Sequence, residues 1–368
     1  MKCILGEIGT AVPEHRSSQP DLKELEQTIS VSDAKNERFI NGIYARSGVS
    51  NRHSVLFDSS NGPVLDRQQL YSPASSIDDR GPSTAERMRV YRDSALSLAR
   101  ESCQDALNRS SCDFEQITHL VTTSCTGFSA PGVDLGLIDE LNLDRQVART
   151  HVGFMGCHAA LNAMRIASSF AKSDSAKVLV CCTELCSLHL QYRAESDQAI
   201  ANSLFADGSA AVVVQQLKHS QRTENSTNDW QIASNASAVI PDTSQHMSWN
   251  IGDNGFEMSL SVSVPSIIHE TVKPWLEQWL ATQQLDVADI GSWAVHPGGP
   301  KIISAFADAV GIQDSAVQAS RDILSEYGNM SSPTILFVID RLRQTDAQLP
   351  CVAIAFGPGL AIEAMLLT

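Results

Sequence analysis

Residues 151–171, HVGFMGCHAALNAMRIASSFA, decide the fold, because a strand-like apolar run changes there into an alanine-rich helical pattern. Cys157 stands at the change, directly behind Gly156. The apolar residues that follow recur at roughly helical spacing, which predicts a helix with Cys157 in its first turn. A helix N-terminus carries unpaired N–H groups and partial positive charge, and both favour a thiolate. The stretch therefore presents Cys157 either as a nucleophile or as a buried spacer.

Predicted strands and helices alternate on both sides of this stretch. Runs rich in β-branched residues at 116–125, 177–184 and 208–217 predict strands, and their alternation with helical patterns is typical of an α/β sheet. Ser83 and Glu86 fit a capping box that opens a long helix ending near residue 107.

A polar, irregular segment between Leu217 and Asn250 separates two such regions, with room for one strand inside it. After it, a helix is predicted at about 265–282 and a closing β-hairpin at 351–367. Two αβ-rich regions around a polar seam suggest an internal duplication, with an N-terminal half at residues 1–217 and a C-terminal half at 218–368.

Composition limits the functional classes. The 368 residues are 43% hydrophobic and 19% charged, as in a soluble globular protein, and the net charge of −15 argues against a nucleic-acid partner. The sequence predicts neither a membrane span nor a signal peptide, which favours a cytoplasmic location.

The nine cysteines are predicted to be reduced thiols, since their spacing does not repeat a zinc-binding pattern. Cys181, Cys182 and Cys186 form a tempting cluster in the run VLVCCTELCSL. Free cysteine packs as a small hydrophobe, so this cluster is interpreted as core and no metal site is expected.

A local basic segment offers a place for an anionic substrate despite the acidic chain. In residues 34–53, Lys35, Arg38, Arg46 and Arg52 oppose a single acidic residue, Glu37. The segment is either the mouth of a binding site or a solvated helix face, and charge alone does not separate the two.

A catalytic cysteine needs a histidine partner. His158 is adjacent, but neighbouring side chains on a helix point about 100° apart, so it cannot easily face the same site. His296 is the better candidate because it ends a predicted strand and precedes Pro-Gly-Gly, a turn expected to leave the imidazole exposed at a sheet edge. Asn329, before two serines and a proline, supplies an amide that can donate to an oxyanion without titrating.

Cysteine, histidine and asparagine in this order also describe papain-like hydrolases. Those enzymes carry the cysteine near the mature N-terminus in a C-G-[SA]-C-[WY] setting, whereas Cys157 lies mid-chain. They are usually secreted or lysosomal, and Asn329 itself heads a glycosylation sequon, as do Asn225 and Asn235. The hydrolase is therefore a remote alternative.

The chain resembles the type III polyketide synthases, the chalcone-synthase-like branch of the thiolase superfamily, from about residue 3 to its C-terminus. The resemblance implies the thiolase fold, a duplicated five-layer αβαβα architecture with pseudo-twofold halves. Ketoacyl synthase III, a single-condensation enzyme, shares the cysteine, histidine and asparagine and remains the runner-up, while a catalytically silent binding protein is a further alternative. The resemblance rests jointly on the segments PSTAERM, TTSCTGFSAPGVD, GFMGCHAAL, SLFADGSAAVVV, HPGGPKI, YGNMSSPT and AFGPGLAIE.

The resemblance implies a role for each member of the triad. Cys157 would take the starter acyl group from coenzyme A, and His296 would hold it as a thiolate-imidazolium pair. His296 and Asn329 would bind the malonyl-CoA thioester oxygen and stabilise the enolate formed as CO2 leaves. The implied protein is a homodimer that uses acyl-CoA and malonyl-CoA, needs no resident cofactor, and releases a pyrone, resorcinol or related phenolic.

The resemblance also implies walls for the cavity. Phe205 matches an aromatic gatekeeper, Met258 replaces a second one, and Trp249 occupies a position that is small in the plant enzymes. Ala130 replaces the methionine that in plant enzymes reaches the partner's cavity. The remaining implied site residues are the wall residues Cys125, Thr126, Cys186, His189 and Ser331, the cyclisation loop Phe356, Gly357, Pro358 and Gly359, and the coenzyme A contacts Arg46, Arg38, Arg52 and Lys301.

Overall fold

A computed structural model describes residues 3–30, 34–110, 112–174, 176–192, 196–216 and 230–368. The strands in these ranges are β1 (Cys3–Ala11), β2 (Arg16–Ser18), β3 (Asn51–His53), β4 (His119–Ser124), β5 (Ala148–Gly153), β6 (Lys177–Leu185), β7 (Asp207–Gln216), β8 (Gln231–Val239), β9 (Met247–Gly252), β10 (Gly255–Leu260), β11 (Ser292–Val295), β12 (Cys351–Gly357) and β13 (Ala361–Leu367). The α-helices are α1 (Gln19–Ile29), α2 (Ala34–Ala45), α3 (Thr84–Arg109), α4 (Val133–Glu140), α5 (Ala159–Asp174), α6 (Ser196–Leu204), α7 (Val264–Thr282), α8 (Pro300–Val310), α9 (Gln318–Tyr327) and α10 (Thr334–Gln344).

Nine of the strands form one sheet in the order β11-β12-β13-β8-β1-β7-β6-β4-β5. Pairing is parallel near both edges, between β11 and β12 and among β6, β4 and β5, and antiparallel in the middle. The two halves of the sheet meet where β1 pairs with β8, at Cys3 opposite Ile232 and Ile4 opposite Gln231. Read inward from its edge, each half changes from parallel to antiparallel pairing, and the half that ends at β5 has one more parallel strand.

Helices cover the sheet in layers. The largest core cluster joins α5 and α10 to strands from both halves, so these two helices form the central layer. Helices α3 and α4 pack on the outer face of the first half, and α7 and α8 pack on the outer face of the second. Two sheet halves with helices between and outside them give the five-layer thiolase architecture, which confirms the fold prediction.

Most predicted elements are present. Helix α3 begins with the predicted capping box, in which Ser83 and Glu86 bond reciprocally, and α7 and the closing hairpin of β12 and β13 lie where the sequence placed them. The predicted seam contains the one strand expected inside it, β8, and β9 also begins before its end at residue 250. The β8 sequence QIASNASAV is only weakly apolar, and its pairing with β13 and β1 supplies what local pattern lacks. The predicted boundary between residues 217 and 218 lies outside the described residues.

All nine cysteines are free thiols, as predicted, and all are buried. Cys181, Cys182 and Cys186 belong to the interior and do not approach a metal-ligand arrangement with other described residues. None of the described helices combines the length and apolar character that crossing a membrane requires.

Candidate active site

Cys157 lies in a single 3-10 turn, Gly156–His158, that leads directly into α5. Gly156 has φ +74°, and a Cβ there would stand 2.6 Å from Cδ of Pro358. Only glycine therefore allows this turn to pack under the loop that carries Pro358. The close packing leaves the Cys157 side chain buried, with 9% of the residue exposed.

Two small lobes of one cavity meet at Cys157. The first, about 30 Å³, brings Cys157 together with His296 and Asn329, as the sequence predicted. The second, about 20 Å³, extends from Cys157 toward Trp249 and is also lined by Cys125, Thr126, Cys186 and Ser331. Both lobes are lined by Phe205, Met247 and Met258, and the first also by Leu260, Gly298, Ile302 and Phe356.

His296 follows the edge strand β11, but its side chain is buried, with 1% exposed, so the expectation of an exposed imidazole is wrong. Its backbone N–H donates to the carbonyl of Ile354 at 2.8 Å, which extends the ladder with β12 and turns the side chain into the protein. Neither ring nitrogen has a hydrogen-bond partner among the described residues. Burial, and then the nearby His158, lower the pKa of His296 to about 3. The imidazole is therefore neutral and has nitrogen atoms available to a substrate.

Backbone hydrogen bonds to the residues on either side of Phe205 hold Asn329 in place. Its N–H donates to Leu204 at 2.8 Å, and its carbonyl accepts from Ala206 at 2.9 Å, so Asn329 pairs with Phe205 in a parallel bridge. The side-chain Oδ1 accepts the N–H of Ser331 at 2.8 Å. With its oxygen engaged, the amide is left to act through the Nδ2 donors.

The electrostatic setting of Cys157 differs from the sequence expectation. Burial raises the pKa of its thiol to about 11, and the nearby Glu184 adds to the rise, while hydrogen bonds with Ser331 and Asn329 oppose it. The predicted lowering by a helix N-terminus is therefore wrong for this state. A helix terminus contributes about 0.3–1 kcal/mol, and one pKa unit corresponds to about 1.4 kcal/mol, so desolvation outweighs it.

His158 has a structural position. Its Nδ1 lies 2.7 Å from Oδ1 of Asn162, and its ring packs against Gly357, where a Cβ would stand 2.1 Å from the imidazole Cδ2. It lines neither lobe around Cys157. This placement agrees with its rejection as the base.

A hairpin forms the wall opposite Cys157. Trp249 on β9 and Met258 on β10 are cross-strand neighbours, and Trp249 Nε1 donates to the Cys125 carbonyl at 2.7 Å. His189 accepts the N–H of Phe256 at 3.0 Å on Nδ1 and contacts the Thr126 carbonyl at 2.6 Å through Nε2. These bonds fix the wall. His189, predicted to line the cavity, instead lines a chamber behind it.

The cyclisation loop contributes unequally to the site. Phe356 lines the first lobe and Pro358 lines the second. Gly357 and Gly359 line neither lobe. Gly357 admits the His158 ring, and the Gly359 N–H donates to the Met247 carbonyl at 3.2 Å.

A wider mouth of about 150 Å³ adjoins the first lobe and shares Leu260, Gly298 and Ile302 with it. Arg46 and Lys301, two of the residues predicted to contact coenzyme A, line this mouth. The other two residues predicted to contact coenzyme A, Arg38 and Arg52, do not line it.

Arg38 is exposed on α2 and does not line the mouth. Arg52 is buried, with 5% exposed, and its Nη1 donates to the carbonyls of Asn202 at 2.6 Å and Phe205 at 2.8 Å. The prediction that Arg52 meets coenzyme A phosphates at the surface is therefore wrong, because the strand β3 that carries it directs it inward.

Glu184 is a site residue that the sequence analysis missed. Its buried carboxylate accepts from the Cys125 N–H at 2.9 Å and from the hydroxyls of Thr126 and Ser332 at 2.7 Å each. It thereby ties together the segments that carry Cys125 and Ser331. A lone glutamate inside the apolar run VLVCCTELC was the signal available for it.

Comparison with known proteins agrees with this geometry. Residues 2–216 match the N-terminal domain of the chalcone and stilbene synthases, and residues 231–368 match their C-terminal domain. The chain is 30% identical to an alpha-pyrone synthesis polyketide synthase-like protein, Pks18, of Mycobacterium tuberculosis, over 99% of this chain and 90% of the relative. It is also 30% identical to the 1,3,6,8-tetrahydroxynaphthalene synthase of Streptomyces peucetius subsp. caesius, over 98% and 91%.

Solved structures give the same result. PKS-I from the brown alga Ectocarpus siliculosus superimposes with a TM-score of 0.89 at 27% identity, covering 100% of this chain and 98% of that one. The C-terminal type III polyketide synthase domain of Steely1 from Dictyostelium gives a TM-score of 0.89 at 29% identity, covering 100% and 99%. The papain-like alternative is thereby displaced. The chain belongs to the chalcone and stilbene synthase family, and it is a type III polyketide synthase, an enzyme of the acyltransferase class.

Proposed function

We propose that Cys157 is the acyl-carrying nucleophile of this synthase. The observation that carries the proposal is the convergence of Cys157, His296 and Asn329 on one lobe that adjoins a mouth lined by Arg46 and Lys301. Cys157 Sγ attacks the acyl-CoA carbonyl while His296 takes its proton. The thioester bond to coenzyme A breaks, and the proton passes to the departing coenzyme A thiolate.

Malonyl-CoA then enters the same lobe. Its thioester oxygen accepts from Asn329 Nδ2 and from His296, which acts here as a donor, and the carboxylate leaves as CO2 to give an enolate. The enolate carbon attacks the acyl carbonyl on Cys157 and expels Sγ, so that the extended chain is held by coenzyme A and can be loaded again. Thioester cleavage and CO2 loss drive these steps, so the proposal invokes no resident metal or cofactor.

The walls favour a short product chain. The lobes around Cys157 measure about 30 and 20 Å³, and Trp249, Met258 and Phe205 close them. We propose that a small acyl-CoA is extended by a few malonyl units and closed to a pyrone or a phenolic ring. The names of the Mycobacterium and Streptomyces relatives, which cite an alpha-pyrone and a tetrahydroxynaphthalene, support these two product classes.

We also propose that the protein is a cytoplasmic homodimer that pairs along β5. This strand is an edge of the nine-stranded sheet, and an open edge invites pairing with a second chain. Phe128, Leu135, Phe154 and Met155 are exposed near it, and the Phe128 and Phe154 rings pack edge to face at 6.2 Å. Sedimentation of Phe128→Asp should show dissociation relative to wild type, with Val239→Asp, an exposed site elsewhere, as control.

Ala130 bears on whether two subunits share a cavity. It lines a separate cavity of about 310 Å³ beside β5, together with His151 and Arg149. The alanine methyl group is shorter than the methionine side chain that reaches the partner's cavity in plant enzymes. This difference supports independent active sites in the proposed dimer.

Mass spectrometry of the products from a panel of acyl-CoA starters with malonyl-CoA tests the proposed function. The account predicts products that contain at least two malonyl-derived units and a closed ring. Products with one extension only would instead indicate a ketoacyl synthase III-like enzyme.

A further inference from the structure

A second chamber lies behind the wall of the active-site cavity. We call it the rear chamber; it measures about 40 Å³ and shares Cys186, Phe205 and Trp249 with the second lobe around Cys157. Its far side is largely apolar, formed by α1 and by the chain that follows β3, including Leu25 and Phe57. The shared residues place the rear chamber directly beside the second lobe, with Phe205 and Trp249 between them.

The lining of the rear chamber includes one arginine, Arg52. Arg52 is buried, with 5% exposed. Its Nη1 donates to the carbonyls of Asn202 and Phe205, and its guanidinium also interacts with Tyr44. Its Nε and Nη2 have no hydrogen-bond partner among the described residues. These two nitrogens form one edge of the guanidinium, the side-on fork whose two parallel N–H bonds match a carboxylate.

The neighbouring polar groups of the chamber have partners of their own. Ser54 donates to Ser187 at 2.7 Å, Gln198 donates to the Met258 carbonyl at 2.6 Å, and the amide of Asn202 exchanges bonds with the Gln191 backbone. Arg52 is therefore the residue of this lining that has N–H donors without a hydrogen-bond partner among the described residues. A buried guanidinium with unused donors is costly unless an acceptor meets it.

Glu26 is an acidic group close enough to feel the charge of Arg52. Burial raises the pKa of Glu26, while hydrogen bonds with Tyr44 and Asn202, and then the charge of Arg52, oppose the rise. Its Oε2 accepts the Tyr44 hydroxyl at 2.5 Å, and the Arg52 guanidinium lies 5.9 Å from the centre of the Tyr44 ring. Glu26 forms no ion pair with Arg52 among the described residues, and its own Oε1 also has no hydrogen-bond partner there.

We propose that the rear chamber binds the far end of the starter acyl group and that Arg52 holds a carboxylate there through Nε and Nη2. The starter class is thus a short acyl-CoA with a carboxylate at its distal end. A buried water needs about 10–15 Å³, so a chamber of about 40 Å³ admits a terminal carboxylate but not a long alkyl tail. This inference rests on the proposed loading of Cys157.

Two starters of equal length test it: glutaryl-CoA, which ends in a carboxylate, and pentanoyl-CoA, which ends in a methyl group. Acylation of Cys157 is followed by intact-protein mass spectrometry after rapid quenching, and malonyl-CoA decarboxylation is measured in the same preparation. Wild type should acylate with glutaryl-CoA at least about tenfold faster at equal subsaturating concentration. A rate for pentanoyl-CoA equal to or above that for glutaryl-CoA overturns the proposal.

Variants locate the preference. Arg52→Lys keeps a positive charge but loses the fork, and the glutaryl to pentanoyl ratio should fall toward one; Arg67→Lys changes another buried arginine outside the chamber and should keep the wild-type ratio. If Arg52→Lys does not fold, Ala201→Leu, which fills the chamber from α6, should lower the ratio instead. An unchanged ratio in the folded chamber variant overturns the proposal.

A structure of the glutaryl enzyme adds a direct view. A carboxylate on Nε and Nη2 of Arg52 supports the proposal, whereas water alone at both nitrogens overturns it. If neither starter loads and malonyl-CoA is not decarboxylated, the proposed function itself fails. Decarboxylation with normal pentanoyl loading but no glutaryl preference removes the carboxylate proposal alone.

Discussion

The backbone N–H of Ser331 donates to Oδ1 of Asn329 at 2.8 Å, and Ser331 holds the left-handed φ of +59° while it does so. A non-glycine residue in this conformation persists only when its surroundings hold it there. The bond fixes which end of the Asn329 amide faces its own chain. The donors of Nδ2 are thereby kept for a thioester oxygen in the lobe beside Cys157.

Asn329→Asp should separate this donor function from folding. Aspartate preserves the shape and still accepts the Ser331 N–H, but it offers no N–H donor to an oxyanion. Malonyl-CoA decarboxylation should fall by about 10²–10³-fold, the range for losing one such donor. A melting temperature close to wild type would show that the fold is intact, and activity within threefold of wild type would exclude the assigned role.

Arg46→Ala should weaken coenzyme A binding, because Arg46 lines the mouth next to the first lobe. The KM for malonyl-CoA is expected to rise several-fold with little change in kcat, and the effect should shrink at high salt as phosphate contacts are screened. Arg38→Ala is the matched control, since Arg38 is an exposed arginine outside the mouth. Equal effects of both variants would indicate a general charge effect and contradict the mouth assignment.

Trp249→Ala should enlarge the second lobe. Removing the indole also removes its bond to the Cys125 carbonyl, so the hairpin wall loses both bulk and an anchor. Liquid chromatography with mass detection should show products with at least one more malonyl unit or uptake of a bulkier starter. Trp275→Ala, on α7 away from the cavity, controls for losing a tryptophan, and an unchanged product set in Trp249→Ala would show that Trp249 does not limit chain growth.

Glu26→Gln should change how stability depends on pH. Burial raises the pKa of Glu26 to about 7, above an unfolded value near 4.3, so its contribution is complete below about pH 4.3 and is lost as the pH rises through about 7. Glutamine mimics the protonated acid at every pH. The variant should match wild type near pH 4 and be more stable at pH 8, by about 4 kcal/mol at most.

Urea unfolding at the two pH values measures this difference. Glu24→Gln, at an exposed position of the same helix α1, serves as the control and should show no comparable change. A Glu26→Gln variant that is less stable than wild type at pH 8 would mean that the ionised carboxylate is stabilising where it lies.

Local patterns predicted the long elements of this fold well. The capping box at Ser83 and Glu86 and the apolar run of the closing hairpin carry their own signals, so α3, β12 and β13 were found with close bounds. One strand was expected inside the polar seam but could not be positioned, because β8 is stabilised by pairing with β13 and β1 rather than by its own composition. A single sequence does not show which strands pair with each other.

The site divides in the same way. Cys157, His296 and Asn329 were found because each stands at a junction with a distinct local motif, and the structure brings them to one lobe. The burial of these side chains was not predicted. His296 and Arg52 point into the protein, and burial raises the pKa of Cys157. Burial depends on the layers that pack around a residue, and these layers cannot be identified from the residues adjacent to it in the sequence.

The most direct test of the central claim is malonyl-CoA decarboxylation in Cys157→Ala and His296→Ala, measured as CO2 release by the purified proteins. If Cys157 only carries the acyl chain while His296 polarises the malonyl thioester, Cys157→Ala will still release CO2 and His296→Ala will lose at least about 100-fold in rate. Normal CO2 release in both variants, or loss in Cys157→Ala with retention in His296→Ala, would contradict the account.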